Sequence, residues 1–330
     1  MLHSCNPGAT RDLGNGPRYL RWDYTSEPGR QKESRGRLPE MRVNKEVRAI
    51  QVAIASALTG AVAKFIFGFI TGSMSMISSA VDSLGDLIVS FVNLGVVRVA
   101  DLAPDEDHNY GHAKIEGLGV MFEGGFIFAA GVFIIYEAIH KMMVGEVSHD
   151  STLGIAVMVP IIALTAGTVH YLRKVAKETG SLIVKADALH YATDVYLNAG
   201  VLVALVLVKL TGRPVIDSII SVAIALYMLY SSVHVVRDGL GVVMDESLDA
   251  ATVDRLRALL AAYPKIISFH DFKTRRGKIP HVDFHIVVPG EMTTLEVHDA
   301  YLDLPSRIRD VVGAPTKMLM HADPEESRLR

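Results

Sequence analysis

Cysteine is almost absent from this 330-residue chain, which contains one. Cys5 lies in a polar stretch and can form no disulfide within a single chain. Thiolate-rich metal sites in the apolar part are therefore excluded. Strong charge of either sign is also lacking, since the net charge is −3. No basic stripe with interleaved aromatic residues occurs, so we expect no nucleic-acid partner.

Residues 1–40 lack both periodicity and an apolar run, and they are rich in Gly, Pro, Arg and Ser. We therefore expect no cleaved secretory signal, because such a signal needs an apolar run after its basic start. The composition predicts a polar, disordered N-terminal extension over residues 1–44. An alternative is that the natural start is Met41, which is followed by a basic run before the first apolar segment.

Charged residues are scarce between residues 51 and 244, although half of the whole chain is hydrophobic and the mean hydropathy is +0.29. This contrast predicts a membrane domain over 45–244 and a polar domain over 245–330. A membrane span needs about 20 mainly apolar residues. Six segments meet that requirement, at roughly 48–71, 75–99, 114–140, 152–172, 183–210 and 215–237.

The lysines and arginines near the span ends are unevenly distributed, which predicts the orientation in the membrane. Far fewer lie at one set of ends, namely Lys141, Lys209 and Arg213, than at the other. Both termini are therefore expected in the cytoplasm. The plasma (inner) membrane is the default location, and an internal organelle membrane is the alternative.

The polar domain alternates between helical and strand patterns. Helices are predicted at 249–263 and 294–308, and strands at 266–274, 281–288 and 317–321. The predicted fold is thus an all-α six-helix transmembrane domain plus a small cytoplasmic α+β domain of αββαβ order.

Two pairs of ionisable residues interrupt the apolar segments. Asp82 and Asp86 lie in the second span, and His190 and Asp194 lie in the fifth. The i,i+4 spacing puts both members of each pair on one helix face. Three carboxylates and an imidazole could form a four-coordinate site for Zn, Fe(II) or Mn. The alternative is that each carboxylate pairs with a lysine, for which Lys64 is the nearby candidate, or caps a backbone.

Three stretches, residues 79–86, 107–116 and 186–194, resemble motifs of the cation diffusion facilitator family. The similarity covers about residues 45–324. The resemblance implies a six-span dimeric metal/proton antiporter with a metallochaperone-like αββαβ cytoplasmic domain. It also implies that Asp82, Asp86, His190 and Asp194 form a tetrahedral transport site. This Asp-Asp/His-Asp set resembles the iron/zinc branch and its ferrous-iron efflux pumps, with Mn²⁺ a less favoured cargo.

The resemblance implies further metal sites outside the spans. Asp105, His108 and His112 match a site in the loop after the second span, although such a loop can also be simply solvated. In the cytoplasmic domain a pair of metals at a dimer interface is implied, with ligands His270, His285, His298, His321 and Asp323. The alternative is that some of these histidines cap strands or pack in the core.

One lysine matches a residue that couples the two domains. Lys114 is expected to pair with an acidic residue after the sixth span, here Asp245; its alternative is a lysine that snorkels at the membrane surface. Asn93 and Asn198 are interpreted as interhelical hydrogen-bonding residues. Glu123, deeper in the third span, has no role in this interpretation.

The predicted function is export of Fe²⁺ or Zn²⁺ from the cytoplasm by proton antiport with alternating access. The expected partners are a second copy of the chain, divalent metal as cargo and regulator, protons and the lipid bilayer. The rival hypothesis is a non-transporting metal sensor or assembly scaffold of the same fold. An enzyme is not expected, because no general base accompanies the four ligands.

Overall fold

The structure of this chain is a computed structural model. It describes residues 32–71, 74–144, 152–211 and 215–325. Within the helices, the side chains of Val81 and Asp82 are among those that it does not describe. The predicted extension up to residue 31 lies outside the described residues.

Six long helices precede a small mixed domain. Their bounds are α1 Lys32–Thr71, α2 Met74–Ala100, α3 Ile115–Val144, α4 Thr152–Thr179, α5 Leu182–Thr211 and α6 Val215–Val243. Each of the six predicted spans coincides with one of these helices. The α4–α5 connection is tight because Gly180 adopts a left-handed conformation with φ 66°.

Four of these helices contain a window long and apolar enough to cross a membrane. Within the described ranges the windows are Asn44–Ile70, Ser83–Ala100, Ile115–His140 and Ser218–Val243. The structure therefore supports a mainly helical transmembrane domain, in which four spans meet this test.

The helix α1 begins earlier than expected. The sequence predicts disorder up to residue 44, whereas α1 is helical from Lys32 onwards. Lys, Arg and Glu, which make up about half of this stretch, are polar but have good helix propensity. Helix α1 therefore overlaps residues 32–44 of the predicted extension.

α3 and α6 pack closely along each other. A Cβ atom on Gly117 would lie 2.8 Å from the carbonyl oxygen of Gly239, and one on Gly239 would lie 2.6 Å from that of Gly117. Only hydrogen atoms fit at this crossing, as is common where membrane helices approach each other. On α1, small side chains at Ala49, Ala53 and Ala57 are buried.

The cytoplasmic part has the predicted αββαβ order. Its elements are α7 Ala250–Ala261, β1 Ser268–Arg275, β2 His281–Val288, α8 Thr294–Val312 and β3 Lys317–Pro324. The sheet order is β1-β2-β3, with β1 antiparallel and β3 parallel to β2. The last strand reaches Pro324, three residues beyond the predicted end.

The two cytoplasmic helices cover one face of the sheet. Leu256 of α7 and Leu304 of α8 pack with Phe284 and Ile286 of β2 in one buried cluster. Because side chains alternate along a strand, His285 lies on the opposite face. α8 begins with a capping box between Thr293 and Glu296.

Candidate metal centres

The structure brings together three of the four predicted transport-site residues. His190 Nε2 lies 3.2 Å from Asp86 Oδ1 and 4.0 Å from Asp194 Oδ2. One potential ligand atom from each residue lies within 4.8 Å of the others. α2 supplies Asp86 and α5 supplies the other two, so the i,i+4 spacing on α5 places both on the face toward α2.

The surroundings of this cluster combine enclosure with access. The His190 side chain is 5% exposed, and the rings of Phe126 and Tyr191 pack edge-on to it, with centroids 5.6 Å away. Asp86 and Asp194 keep about a quarter of their side-chain surface exposed. The imidazole is therefore held in place while the carboxylates can be reached by an ion.

The fourth predicted ligand is Asp82, whose side chain lies outside the described residues. Its position on α2 is one turn before Asp86. The neighbouring lysine on α1, Lys64, donates a hydrogen bond to the Ser83 hydroxyl at 2.9 Å. Among the described side chains Lys64 forms no ion pair with Asp86 or Asp194, so pairing with this lysine does not account for these two carboxylates.

The loop between α2 and α3 holds a second cluster. Asp105 lies 3.3 Å from His108 Nδ1 and 3.2 Å from His112 Nε2, through different carboxylate oxygens. The backbone N–H of His108 donates to Asp105 at 2.6 Å. That bond, helped by the nearby histidines, holds the pKa of Asp105 below its ordinary value. The three predicted residues therefore form an N/O ligand set whose carboxylate is ionised at neutral pH.

A row of three histidines crosses the cytoplasmic sheet. His270 is paired with His285 across β1 and β2, and His285 with His321 across β2 and β3. Adjacent ring centroids lie 5.0 and 4.9 Å apart. Asp323 contacts all three, at 3.5, 3.1 and 3.2 Å respectively. Strand register thus places one carboxylate among three imidazoles, a donor set that suits Zn²⁺ or Fe²⁺.

His298 lies apart from this row. It is exposed on α8, whose apolar face packs on the Phe284 side of the sheet, whereas the histidine row is on the other side. Within one chain His298 therefore cannot join the ligand set that the sequence predicted for it. His281, which the sequence did not assign, bonds through Nδ1 to the Ile279 carbonyl oxygen.

The predicted interdomain pair is formed. Lys114 Nζ donates to Asp245 Oδ2 at 3.0 Å, and Arg275 lies 3.4 Å from the other carboxylate oxygen. Desolvation raises the pKa of Asp245, but the hydrogen bonds and charges of Lys114 and Arg275 outweigh it, and the net pKa is lowered. The carboxylate therefore links α3 to the cytoplasmic domain.

A buried polar group in the spans was not predicted as a site. Asn93 Nδ2 donates to Glu123 Oε2 at 3.3 Å and to Asp187 Oδ1 at 3.1 Å. The interhelical role expected of Asn93 is thereby confirmed. Asn198 differs, because it donates to the Asp194 carbonyl oxygen of its own helix. Asp187 could have been found from sequence, as an acid one turn before His190 in an apolar helix.

Glu116, at the start of α3, has a structural contact that the sequence gave no reason to expect. Its Oε1 accepts bonds from the Ser181 hydroxyl and from the backbone N–H groups of Leu182 and Ile183. Backbone N–H groups in the first turn of a helix have no acceptor within that helix, and Leu182 and Ile183 lie in the first turn of α5. The carboxylate therefore caps α5 and fixes the start of the helix that carries His190.

Comparison with known proteins identifies the family of this chain. Residues 50–244 match the family described as cation efflux transmembrane domain, and residues 248–325 match the cation efflux protein cytoplasmic domain, a dimerisation domain. The chain belongs to the cation efflux family. This family comprises metal cation transporters and not enzymes.

Individual members of the cation efflux family are similar over most of their length. The cation-efflux pump FieF of Shewanella oneidensis is 30% identical over 84% of this chain and 93% of its own. FieF of Serratia proteamaculans is 30% identical over 78% and 85%. A solved structure of CzrB in its Zn form is 31% identical, covers 26% of this chain and 99% of its own, and has a TM-score of 0.24.

Proposed function

We propose that this cation efflux protein exports Fe²⁺ or Zn²⁺ from the cytoplasm in exchange for protons, by alternating access. The observation that carries the proposal is the cluster of Asp86, His190 and Asp194 on two neighbouring helices. Ionisable groups in membrane helices are costly and mark ion pathways by default. Asp82, one turn before Asp86, would complete a four-coordinate site.

The ligand types limit the cargo. Carboxylates with one imidazole suit Zn²⁺, Fe²⁺ and Mn²⁺ better than Cu⁺, which prefers sulfur. Two or three carboxylates packed together repel each other, and a divalent cation relieves that repulsion. Zn²⁺ and Fe²⁺ are the proposed cargo, since Mn²⁺ favours a set with more oxygen ligands.

Proton exchange follows from the same ligands. A metal binds deprotonated carboxylates and neutral imidazole, so binding releases protons and protonation releases metal. His190 is the residue best suited to this coupling, because imidazole exchanges its proton near neutral pH. In the proposed cycle, cytoplasmic metal displaces protons, and protons from the other side displace the metal.

We infer that all six helices α1–α6 cross the plasma (inner) membrane, with both termini in the cytoplasm. Large apolar side chains on α1, α3 and α5, including Phe69, Phe133 and Leu210, are more than half exposed and would face lipid. The proposed division is an N-terminal extension over 1–44, a membrane domain over 45–244 and a cytoplasmic domain over 245–330. An internal organelle membrane would fit equally if metal is moved out of the cytoplasm.

The remaining sites are proposed to be regulatory. The cytoplasmic domain would form a homodimer, and metal bound by His270, His285, His321 and Asp323 would favour the transporting arrangement. The Lys114–Asp245 pair would pass this arrangement to α3. Asp105, His108 and His112 would bind a further metal ion at the membrane surface.

The test is metal flux in proteoliposomes under a pH gradient, with Zn²⁺, Fe²⁺ and Mn²⁺ measured side by side. We expect Zn²⁺ or Fe²⁺ uptake in the wild type, none in Asp82→Ala or Asp86→Ala, and unchanged uptake in Asp310→Ala, which changes an exposed aspartate of α8. Metal binding without flux, in vesicles where an established antiporter is active, would instead support the sensor or scaffold.

A further inference from the structure

Glu123, Asp187 and Asn93 form a fully enclosed polar group at the meeting of three helices. All three side chains are wholly buried, and they come from α3, α5 and α2 respectively. Both hydrogen bonds described above start from the same amide nitrogen, Asn93 Nδ2. The separation between Glu123 Oε2 and Asp187 Oδ1 is therefore at most the sum of these two bond lengths, which are 3.3 and 3.1 Å.

The group has more hydrogen-bonding capacity than the protein satisfies. Glu123 Oε1, Asp187 Oδ2 and Asn93 Oδ1 are each buried with no hydrogen-bond partner in the described part of the chain. Buried polar atoms are normally paired, and three unpaired atoms on three touching residues are unusual. These free oxygens indicate a small cationic ligand or a proton at this position.

Neither acid has a lysine or arginine partner in the described part of the chain. Across residues 32–71, 74–144, 152–211 and 215–325, no lysine or arginine forms an ion pair with Glu123 or Asp187. The other ionisable groups nearby are Asp86, Asp194, Tyr191 and His190, and His190 is the one of these that can carry a positive charge. Two enclosed carboxylates cannot both carry a charge at low cost, so one of them holds a proton.

The position of the pair relates it to the transport site. Asp187 lies one turn before His190 on α5, and Asn93 lies two turns after Asp86 on α2. In the proposed orientation α5 starts, and α2 ends, at the cytoplasmic surface. The pair therefore lies between the transport site and the cytoplasm, without itself contributing a ligand to the cluster.

We propose that Glu123 and Asp187, joined through Asn93, form a proton-binding site whose proton is exchanged for the transported metal. This inference rests on the proposed proton antiport. A divalent cation arriving at the Asp86–His190–Asp194 cluster favours the ionised form of both acids, so the proton leaves to cytoplasmic water. After the metal has left on the other side, a proton returns to the pair.

The test counts protons released when zinc binds the full-length protein in weakly buffered detergent solution with a pH indicator. Glu123→Gln keeps a carbonyl oxygen that can accept the Asn93 bond but cannot ionise. We expect it to release about one proton fewer per zinc than the wild type, with zinc affinity changed less than about tenfold. Protons from the other metal sites cancel in this comparison.

Two further variants and an infrared measurement complete the test of the proton-binding site. Glu137→Gln makes the same change at an exposed position of the same helix and should release as many protons as the wild type. Asp187→Asn should behave as Glu123→Gln does. In infrared difference spectra, zinc should remove the band of a protonated carboxyl group in the wild type, and this change should be missing in Glu123→Gln.

The possible results distinguish the proton-binding site from the proposed antiport. Equal proton release from wild type and Glu123→Gln, or an unchanged infrared difference, would overturn the inference while antiport stands. If Glu123→Gln does not fold, Asp187→Asn and the wild-type infrared spectrum decide the question. Wild-type vesicles without pH-driven flux would instead contradict the proposed function itself.

Discussion

Lys278 and Glu46 form an ion pair enclosed between the β1–β2 turn and the first helix of the membrane domain. The Nζ–Oε2 distance is 3.4 Å, and the two side chains are 7% and 1% exposed. Asp101, just after α2, lies 3.9 Å from the same lysine nitrogen. The tip of a cytoplasmic hairpin is thus held against the ends of two transmembrane helices.

Replacing Lys278 by Met should lower the thermal stability of the full chain. Removing one partner of a buried ion pair leaves the other charge poorly solvated, which costs up to about 3 kcal/mol here. The measurement is the Tm of the purified protein in detergent. Lys273→Met is the matched control, because Lys273 is 69% exposed and its pair with Asp271 is a surface contact. Equal Tm changes in the two variants would contradict an interdomain role for Lys278.

The sequence could predict the elements better than their contacts. Six apolar segments and the αββαβ order follow from local patterns, and each corresponds to an observed element. The Lys278–Glu46 pair joins residues far apart in the chain, and neither residue stands in a pattern that points to the other. Such a contact depends on how the domains pack, which periodicity does not report.

The candidate sites follow the same rule. The His190/Asp194 and Asp105/His108/His112 groups are local, so their spacing already placed them together. The His270–His285–His321 row depends on strand register, which only the resemblance to a family could anticipate. His298 lies on a helix that packs on the opposite face of the sheet, so its place in a dimer-interface site stays a prediction. Glu123 needed both Asn93 and Asp187 to acquire a role.

Asp323→Asn should weaken metal binding at the histidine row. Asp323 is the carboxylate that contacts all three histidines, so its loss should weaken zinc binding there by at least about tenfold. Calorimetric titration of the full chain should then lose one class of zinc site. Asp303→Asn removes a carboxylate that pairs with Arg307 on the surface of α8, and it should keep every class. Loss of a site in both variants would argue against a specific role for Asp323.

Gly117→Ala should destabilise the membrane domain, whereas Gly125→Ala should not. Both glycines are in α3, but a Cβ on Gly117 would lie 2.8 Å from the Gly239 carbonyl oxygen, while Gly125 has no atom within 4 Å of that position. Alanine is favoured over glycine in a helix by about 0.5–1 kcal/mol, so Gly125→Ala should be neutral or slightly stabilising. The Tm values of the two variants measure the difference. A similar gain in both would show that α3 and α6 can separate at this crossing without cost.

The Lys114–Asp245 pair should respond to pH only in the acid range. The pKa of Asp245 is lowered from the ordinary 3.8, so its contribution to stability is present above that value and is lost as the pH falls through the lowered pKa. Asp245→Asn should therefore lower the Tm slightly at pH 7, by an amount typical of an exposed pair. The difference from wild type should shrink as the pH falls below the ordinary value.

The pH dependence of the Asp245→Asn variant is compared with that of a control variant. Asp310→Asn changes an exposed aspartate of α8 and should leave the Tm close to the wild-type value throughout. A wild-type advantage over Asp245→Asn that grows on acidification would contradict the assigned ion pair. If the Tm difference between wild type and Asp245→Asn is constant between pH 5 and 8, proton coupling during transport does not act through the Lys114–Asp245 pair.

His190→Asp should shift metal preference towards Mn²⁺. The substitution replaces the one nitrogen ligand of the cluster by oxygen, and Mn²⁺ accepts all-oxygen sites more readily than Zn²⁺ does. Competitive flux of the two metals in proteoliposomes gives the ratio directly, and it should rise for Mn²⁺ by about tenfold or more. The Phe126 and Tyr191 rings pack on the imidazole, so some loss of total rate is expected as well.

The ratio, and not the rate, decides the assignment. A variant that misfolds loses both fluxes together and leaves their ratio undefined, so residual zinc flux above the Asp86→Ala background is required before the ratio is used. With that condition met, an unchanged preference for Zn²⁺ would mean that His190 does not coordinate the transported ion. The cluster would then select metal through its carboxylates alone, and the imidazole would act only by exchanging protons.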